Sequence, residues 1–208
     1  MANPSTDIID FQEIALSDNQ LSYYDLVPRS NVHGPGNRFC LWLQGCRKRC
    51  AGCINPHMLE LEVKRTIRLE AILDLIRQSR DGVTNVEGVT LMGGEPMLQA
   101  TEISKMIQIL KSEKDDFNIL IFTGYLLEEL QSLNNPGVNS LLAQTDTIVD
   151  GEFDHYAIDS RLVRGSTNQN IHHLTPVLAK RDFSRRKQEE TLAFSGGQII
   201  SGLTGIKI

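Results

Sequence analysis

Outside the window from Cys40 to Cys53 the sequence has no cysteine, although four fall inside it. Disulfides that staple a fold are spread along the chain, so this distribution excludes a disulfide scaffold. In a reduced compartment it points to a metal or cluster site instead. Long apolar runs are missing too. The longest are short, such as Ile119-Leu120-Ile121-Phe122, far below the ~20 residues of a membrane helix. The opening residues, MANPSTDIID, carry early acids and no apolar stretch, so no secretory signal is expected and a cytoplasmic protein is. Positive charge is in deficit: Lys+Arg 21 against Asp+Glu 26 leaves a net charge of -5. Such a chain has no global field to hold nucleic acid or anionic lipid, and neither is expected as a main partner. No internal repeat and no low-complexity tract is visible.

What is present is ordinary globular composition, 40% hydrophobic and 23% charged over 208 residues. At roughly 150 residues per domain this predicts one domain with a small appendage. Leu21–Val27 reads as a strand, 31–37 as loop chemistry, and Phe39–Leu43 as a short buried strand. Leu69–Arg80 is helical, with Ile72, Leu75 and Ile76 on one face and Asp81-Gly82 closing it. Val89–Met92 is a strand running into Gly93-Gly94-Glu95-Pro96. Thr101 is placed to cap a helix carrying Ile103, Met106, Ile107 and Leu110 at i, i+3, i+4, i+7. Asn118–Thr123 is a strand. Leu126, Leu127, Leu130 and Leu133 form a helical stripe stopped by Asn134-Asn135-Pro136-Gly137. Asp146–Val149 is a strand, Arg164-Gly165-Ser166 starts a further strand-and-loop unit, Lys180–Glu190 is basic and helix-like, and 192–200 suggests a hairpin. The chain therefore divides into an N-terminal extension (1–30), a core (31–179) and a basic segment with a terminal hairpin (180–208). Alternating strands and helices from residue 39 to about 150 predict a mainly parallel sheet with crossover helices. The Cys loop, Gly93–Pro96, Thr123-Gly124-Tyr125 and Asp150-Gly151 each follow a strand, so they share the rim where α/β folds bind ligands.

The cysteine spacing is Cys46-x-x-x-Cys50-x-x-Cys53. Three thiolates in eight residues can wrap one face of a metal centre, and soft sulfur ligands select iron–sulfur clusters, Zn or Cu(I). A cubane has four irons, so three cysteines leave one iron open to a substrate or cofactor. Arg47, Lys48 and Arg49 set positive charge beside the thiolates, which is expected to lower their pKa. The alternative is structural zinc held by Cys46, Cys50, Cys53 and His57. Cys40, inside the strand, reads as a packed thiol.

The cysteine motif followed by Gly93-Gly94-Glu95-Pro96 after a strand resembles the radical S-adenosylmethionine (SAM) superfamily. Finer motifs resemble its anaerobic ribonucleotide reductase activating subgroup, related to the pyruvate formate-lyase activating enzymes. They are Gly34-Pro35-Gly36-Asn37-Arg38, Gln44-Gly45-Cys46, Cys50-Ala51-Gly52-Cys53-Ile54-Asn55-Pro56, Phe122-Thr123-Gly124-Tyr125, Val149-Asp150-Gly151-Glu152-Phe153 and Arg164-Gly165-Ser166-Thr167-Asn168-Gln169. The likeness spans about residues 32–173. Gly52 stands where the superfamily often has an aromatic residue, as it does in that subgroup.

The resemblance implies an incomplete parallel (β/α) barrel with a short N-terminal extension and a C-terminal hairpin. It implies a [4Fe–4S] cluster on Cys46, Cys50 and Cys53 whose open iron takes SAM. It also implies an oxidoreductase that cleaves SAM reductively to methionine and a 5′-deoxyadenosyl radical, which abstracts a hydrogen atom. SAM contacts would come from Gly52, Ile54, Asn55, Gly93, Gly94, Glu95, Pro96, Asp150, Ser166 and Asn168. Glu95 would face the SAM ammonium or brace its loop. Asp150 and Asn168 have turn-forming roles as the alternative. The partners implied are a glycyl radical enzyme as protein substrate and a low-potential electron donor such as flavodoxin or ferredoxin. Two other readings stand beside this activase. One is a radical SAM enzyme acting on a peptide or small molecule; the sequence has no further Cys-x-x-Cys pair for an auxiliary cluster. The other is a non-catalytic zinc or electron-transfer module. Tyr125 is a rim or core residue. His172-His173 has no ligand spacing, and the charges of 180–187 read as a solvated face.

Overall fold

A computed structural model describes residues 11–159, 163–183, 190–194 and 197–201. The apolar run around Phe39 forms β2 (Arg38–Leu43), every residue of which is buried. Its neighbours are β1 (Gln20–Ser30), antiparallel to it, and β4 (Gly88–Gly93), parallel to it. Next come β5 (Asn118–Phe122) and β6 (Thr147–Asp150), both parallel. Two antiparallel strands close the edges: β3 (Thr66–Arg68) on β1, and β7 (Asn170–His173) on β6. The sheet order β3-β1-β2-β4-β5-β6-β7 never returns on itself, so the barrel is incomplete, as expected, with a parallel centre and antiparallel flanks. β1 lies within the segment read as an extension, yet it is hydrogen-bonded into this sheet.

The helices follow their apolar stripes. α1 (Leu69–Asp81) buries Leu69, Ile72, Leu73 and Ile76, and α2 (Ala100–Glu113) buries Ile103, Met106, Ile107 and Leu110. Each such side chain stabilises by about 1.5–3 kcal/mol. They pack on the outer face of the sheet, against Phe39, Leu41, Leu43, Val89, Leu91, Ile119 and Ile121. Alternation sends Cys40, Trp42, Met92, Leu120 and Val149 to the inner face, with Leu178 and Phe183 against its far side.

Three details differ from the sequence reading. Thr101 sits inside α2; the helix is preceded by a 3-10 turn at Pro96–Gln99, and Gln99 occupies the cap position. The stripe at Leu127 forms the short α3 (Leu127–Ser132), and the supposed stop after it starts α4 (Pro136–Gln144). Arg164-Gly165-Ser166 stays loop, touching the chain through the isolated bridge Ile158–Ser166, with the strand at 170–173. α5 (Pro176–Ala179) is one turn, and the basic stretch expected beyond residue 180 falls largely on 184–189, outside the described residues. The terminal hairpin forms as β8 (Glu190–Phe194) and β9 (Gly197–Ser201); its Ser195-Gly196 turn lies outside the described residues.

Candidate active site

The cysteines lie on a hoop between β2 and the 3-10 turn Pro56–Met58. Its base is closed by Gly45 N–H donating to Met58 O (2.9 Å) and Cys46 N–H to Leu59 O (3.3 Å). Cys46, Cys50 and Cys53 are free thiols, the first buried and the others half-buried. Cys53 N–H donates to Cys50 O at 3.2 Å, which tightens the turn between them. Burial pushes the Cys46 thiol up to about 12, with Glu95 and the other two hoop cysteines adding to the rise. Burial also raises Cys50. This corrects the expectation that Arg47, Lys48 and Arg49 lower the thiols. Their charges are already committed: Arg47 to Gln12 O (3.3 Å), Lys48 to Glu152 (3.1 Å), and Arg49 to Cys46 O. Metal binding at the hoop must therefore displace protons.

The Gly93–Pro96 loop is zipped to the root of the hoop. Gly94 N–H donates to Leu43 O and Glu95 N–H to Gly45 O, both at 2.8 Å. Gly93 adopts φ 109°, and a Cβ on Gly94 would stand 2.3 Å from Gly45 O. Glycine is required here because two backbones meet. Of the two roles open to Glu95, the structure shows bracing. Its fully buried carboxylate accepts from Met97 N–H (3.0 Å), Thr123 Oγ1 (2.8 Å) and Gly124 N–H (2.8 Å). Burial pushes it up to about 7, while these bonds and Lys48 pull it back. Pro96 opens the 3-10 turn and is buried.

A cavity of about 170 Å³ lies below the hoop on the inner face, lined by Cys53, Ile54, Asn55, Gly93 and Gly94 among the residues singled out from sequence. Asn55 Oδ1 is buried with no hydrogen-bond partner, an acceptor left over beside the third cysteine. Sequence reasoning missed His33, Trp42, Met92 and Val163 and held Phe122, Phe153, Gly165 and Gln169 only as parts of motifs, not as site residues; these complete the lining. Trp42, Met92 and Phe122 are inward-facing residues near the ends of three adjacent parallel strands, a position that period-two alternation could have revealed.

Glu95, Pro96, Gly52, Asp150, Ser166 and Asn168 do not line this cavity. Gly52, at φ 70°, packs on the His155 ring, whose Nδ1 lies 2.9 Å from Ala51 O. Asp150 Oδ2 accepts from Leu127 N–H (2.7 Å) at the start of α3 and faces His172 Nε2 (3.0 Å). Ser166 Oγ accepts from Asp154 N–H, and Asn168 Nδ2 donates to Glu152 O. Ser166 and Asn168 thus tie the 166–169 loop, whose Gln169 reaches the cavity, to residues 152–154. Tyr125 is a core residue at 2% exposure. His57 lies against Tyr24, ring centroids 4.6 Å apart.

Residues 32–172 match the family described as the 4Fe-4S single cluster domain. The chain belongs to this 4Fe-4S single cluster domain family. Its relatives include the anaerobic ribonucleoside-triphosphate reductase-activating protein of Vibrio cholerae, 34% identical over 158 residues, covering 74% of this chain and 99% of that protein. The protein of the same name from Escherichia coli K12 is 30% identical over 74% of this chain and 99% of its own length. That of phage T4 is 28% identical over 78% and 100%. A solved structure, QueE from Escherichia coli, aligns at TM-score 0.40 with 21% identity over 52% of this chain and 57% of that one, too loosely to carry an argument.

The residues present fit the family's cluster. Three thiols project from one hoop, and the fourth cysteine, Cys40, is buried inside β2. Among the described residues no three His, Cys, Asp or Glu side chains, the hoop cysteines included, converge on a point that a single metal ion could occupy; His57, the fourth member of the zinc set, packs on the Tyr24 ring.

Proposed function

We propose that the chain is a radical SAM activase that generates a glycyl radical on a partner enzyme of the anaerobic ribonucleotide reductase type. The observation that carries it is the cavity between the hoop and the inner face, lined by Cys53, Ile54, Asn55, Gly93 and Gly94, with Asn55 Oδ1 buried and unpartnered. The names of the relatives support the choice of partner. When bound, a [4Fe–4S] cluster and SAM supply one-electron cleavage of a sulfonium C–S bond and hydrogen-atom abstraction.

The chain's own residues do the rest. Cys46, Cys50 and Cys53 would hold the cluster, and with no fourth cysteine on the hoop it would stay open to SAM. Ile54 and the backbone of Gly93 and Gly94 would wall the SAM site, and Asn55 Oδ1 offers an acceptor there. Glu95 and Pro96 hold that wall in place, and Gly52, Asp150, Ser166 and Asn168 fix the loops around it. Trp42, Met92, Phe122 and Phe153 keep the cavity dry, as a reactive alkyl radical requires. A low-potential donor of the flavodoxin or ferredoxin kind delivers the electron. No described helix is long and apolar enough to cross a membrane, which agrees with the cytoplasmic setting we propose.

Anaerobic reconstitution with iron and sulfide, then reduction with dithionite in the presence of SAM, is expected to yield 5′-deoxyadenosine. The Cys46→Ala protein should yield none. Adding a glycyl radical enzyme should give its paramagnetic resonance doublet. A colourless protein with stoichiometric zinc, or product from Cys46→Ala, overturns the proposal.

A further inference from the structure

Residues 11–14 lie outside the family match, which begins at residue 32, yet they contact two of the loops that build the rim and the start of α2. Ile14 N–H donates to Leu98 O at 2.8 Å, just after the Gly93–Pro96 loop. The Glu13 carboxylate accepts from Thr101 N–H (3.2 Å) and Thr101 Oγ1 (3.0 Å) in the first turn of α2. Ile14 Cδ1 also occupies the space a Cβ would need at Gly45, the residue before Cys46. These two residues anchor the segment. The two before them reach the hoop. Gln12 O accepts from Arg47 Nε at 3.3 Å. Phe11 meets the buried Tyr125 edge-on, ring centroids 5.7 Å apart, and the same Tyr125 ring lies 4.6 Å below Lys48 Nζ.

The geometry points to residues 11–14 as a strap that positions the cysteine hoop, Phe11 acting through Tyr125 on Lys48 and Gln12 acting directly on Arg47. The assignment rests on Cys46, Cys50 and Cys53 being the cluster ligands. Arg47 and Lys48 are adjacent cations between the first two of those cysteines, and they repel one another. The hoop's own bonds lie at its base, between Cys53 N–H and Cys50 O, and from Arg49 to Cys46 O, so the Arg47-Lys48 stretch depends on side-chain contacts from elsewhere, Glu152 on Lys48 among them. The strap holds Arg47 by a carbonyl and backs the Tyr125 ring that, with Glu152, holds Lys48, and through these cations it steadies the thiols on either side. Phe11 and Gln12 are positioning residues; neither touches the cluster. A prearranged hoop loses less freedom when metal binds.

Thiol labelling of the metal-free chain tests this, because Cys40 is fully buried in β2 and reports opening of the whole fold. The measured quantity is the rate for the three hoop thiols divided by the rate for Cys40. Phe11→Ala should raise that ratio about 5-fold, the scale of one lost aromatic pair, and Phe11→Tyr should restore it. In the reconstituted protein, Phe11→Ala should release iron to a chelator about 10-fold faster, as supporting residues around metal sites do. A ratio equal to that of the parent chain means that Phe11 contributes only general packing, and overturns the strap; so does unchanged iron release. If the parent chain takes up no cluster, the assignment of the cysteines fails, while the labelling ratio still judges the strap.

Discussion

The Arg38 guanidinium is wholly buried at the start of β2, on the inner face, with oxygen partners of several kinds. It donates to Thr90 Oγ1 (2.5 Å), Asn118 Oδ1 (2.6 Å), Val89 O (2.7 Å) and Pro35 O (3.3 Å). Burial pulls its pKa down to about 10, which leaves it charged at neutral pH. Arg38→Met should strand these acceptors and lower stability by about 2–4 kcal/mol in urea unfolding. Arg38→Lys should not recover the loss, because an ammonium cannot span the fork. The sequence marked Arg38 only as part of a motif; a charged residue opening a strand gives no hint that it turns inward. The cysteines were legible for the opposite reason, since thiolate chemistry belongs to the residue type and the spacing alone restricts what it can hold. Gln169 and His33 were not, because only the path of a folded loop brings them to the cavity.

Among elements, the stripes of α1 and α2 were readable because burial of one face imposes a period that survives in the sequence. α4 was missed because Asn135-Pro136 was taken as a stop. In the fold Asn135 Oδ1 accepts from Val138 N–H at 3.0 Å and Pro136 fills the first helical position, which is equally the chemistry of a start. The antiparallel pairing of β1, β3 and β7 could not be read either, since strand direction is a property of the pair. Contacts between helices carry a pH prediction. Glu113, at the end of α2, accepts from Arg77 Nη2 (2.6 Å) and Arg80 Nη1 (2.9 Å) of α1. The hydrogen bond from Arg77, with help from Arg80, lowers its carboxyl below the usual 4.5. The unfolded chain then binds more protons between the two values, so stability rises with pH there. The contribution is present above about pH 4.5 and lost as pH falls through the lowered value. Glu113→Gln should cost about 0.5 kcal/mol at pH 7 and progressively less as pH falls below about 4.5, and the difference at pH 7 should shrink in high salt, by urea unfolding at each condition.

At the scale of the molecule, the alternation of strands and helices was enough to place the rim on which the candidate site lies. The division of labour between faces was not visible: helices cover the outer face, while Trp42, Met92 and Phe122 on the inner one line a cavity. Since the hoop contributes few bonds to this sheet, iron removal should act locally. Chelation of the reconstituted protein should lower its melting temperature by about 5 °C, the effect of losing a tightly bound ligand in a domain of this size, while far-ultraviolet circular dichroism stays the same. Loss of helix signal on chelation would mean that the cluster supports the core itself.

Phe11 leaves the ribosome long before Arg47, Leu98, Thr101 and Tyr125. The strap therefore cannot settle until most of the sheet has been synthesised and paired, because closure over such a long stretch of chain waits for its landing surface. Loading with iron and sulfide during translation would meet an unfastened hoop, so maturation belongs after the chain is complete.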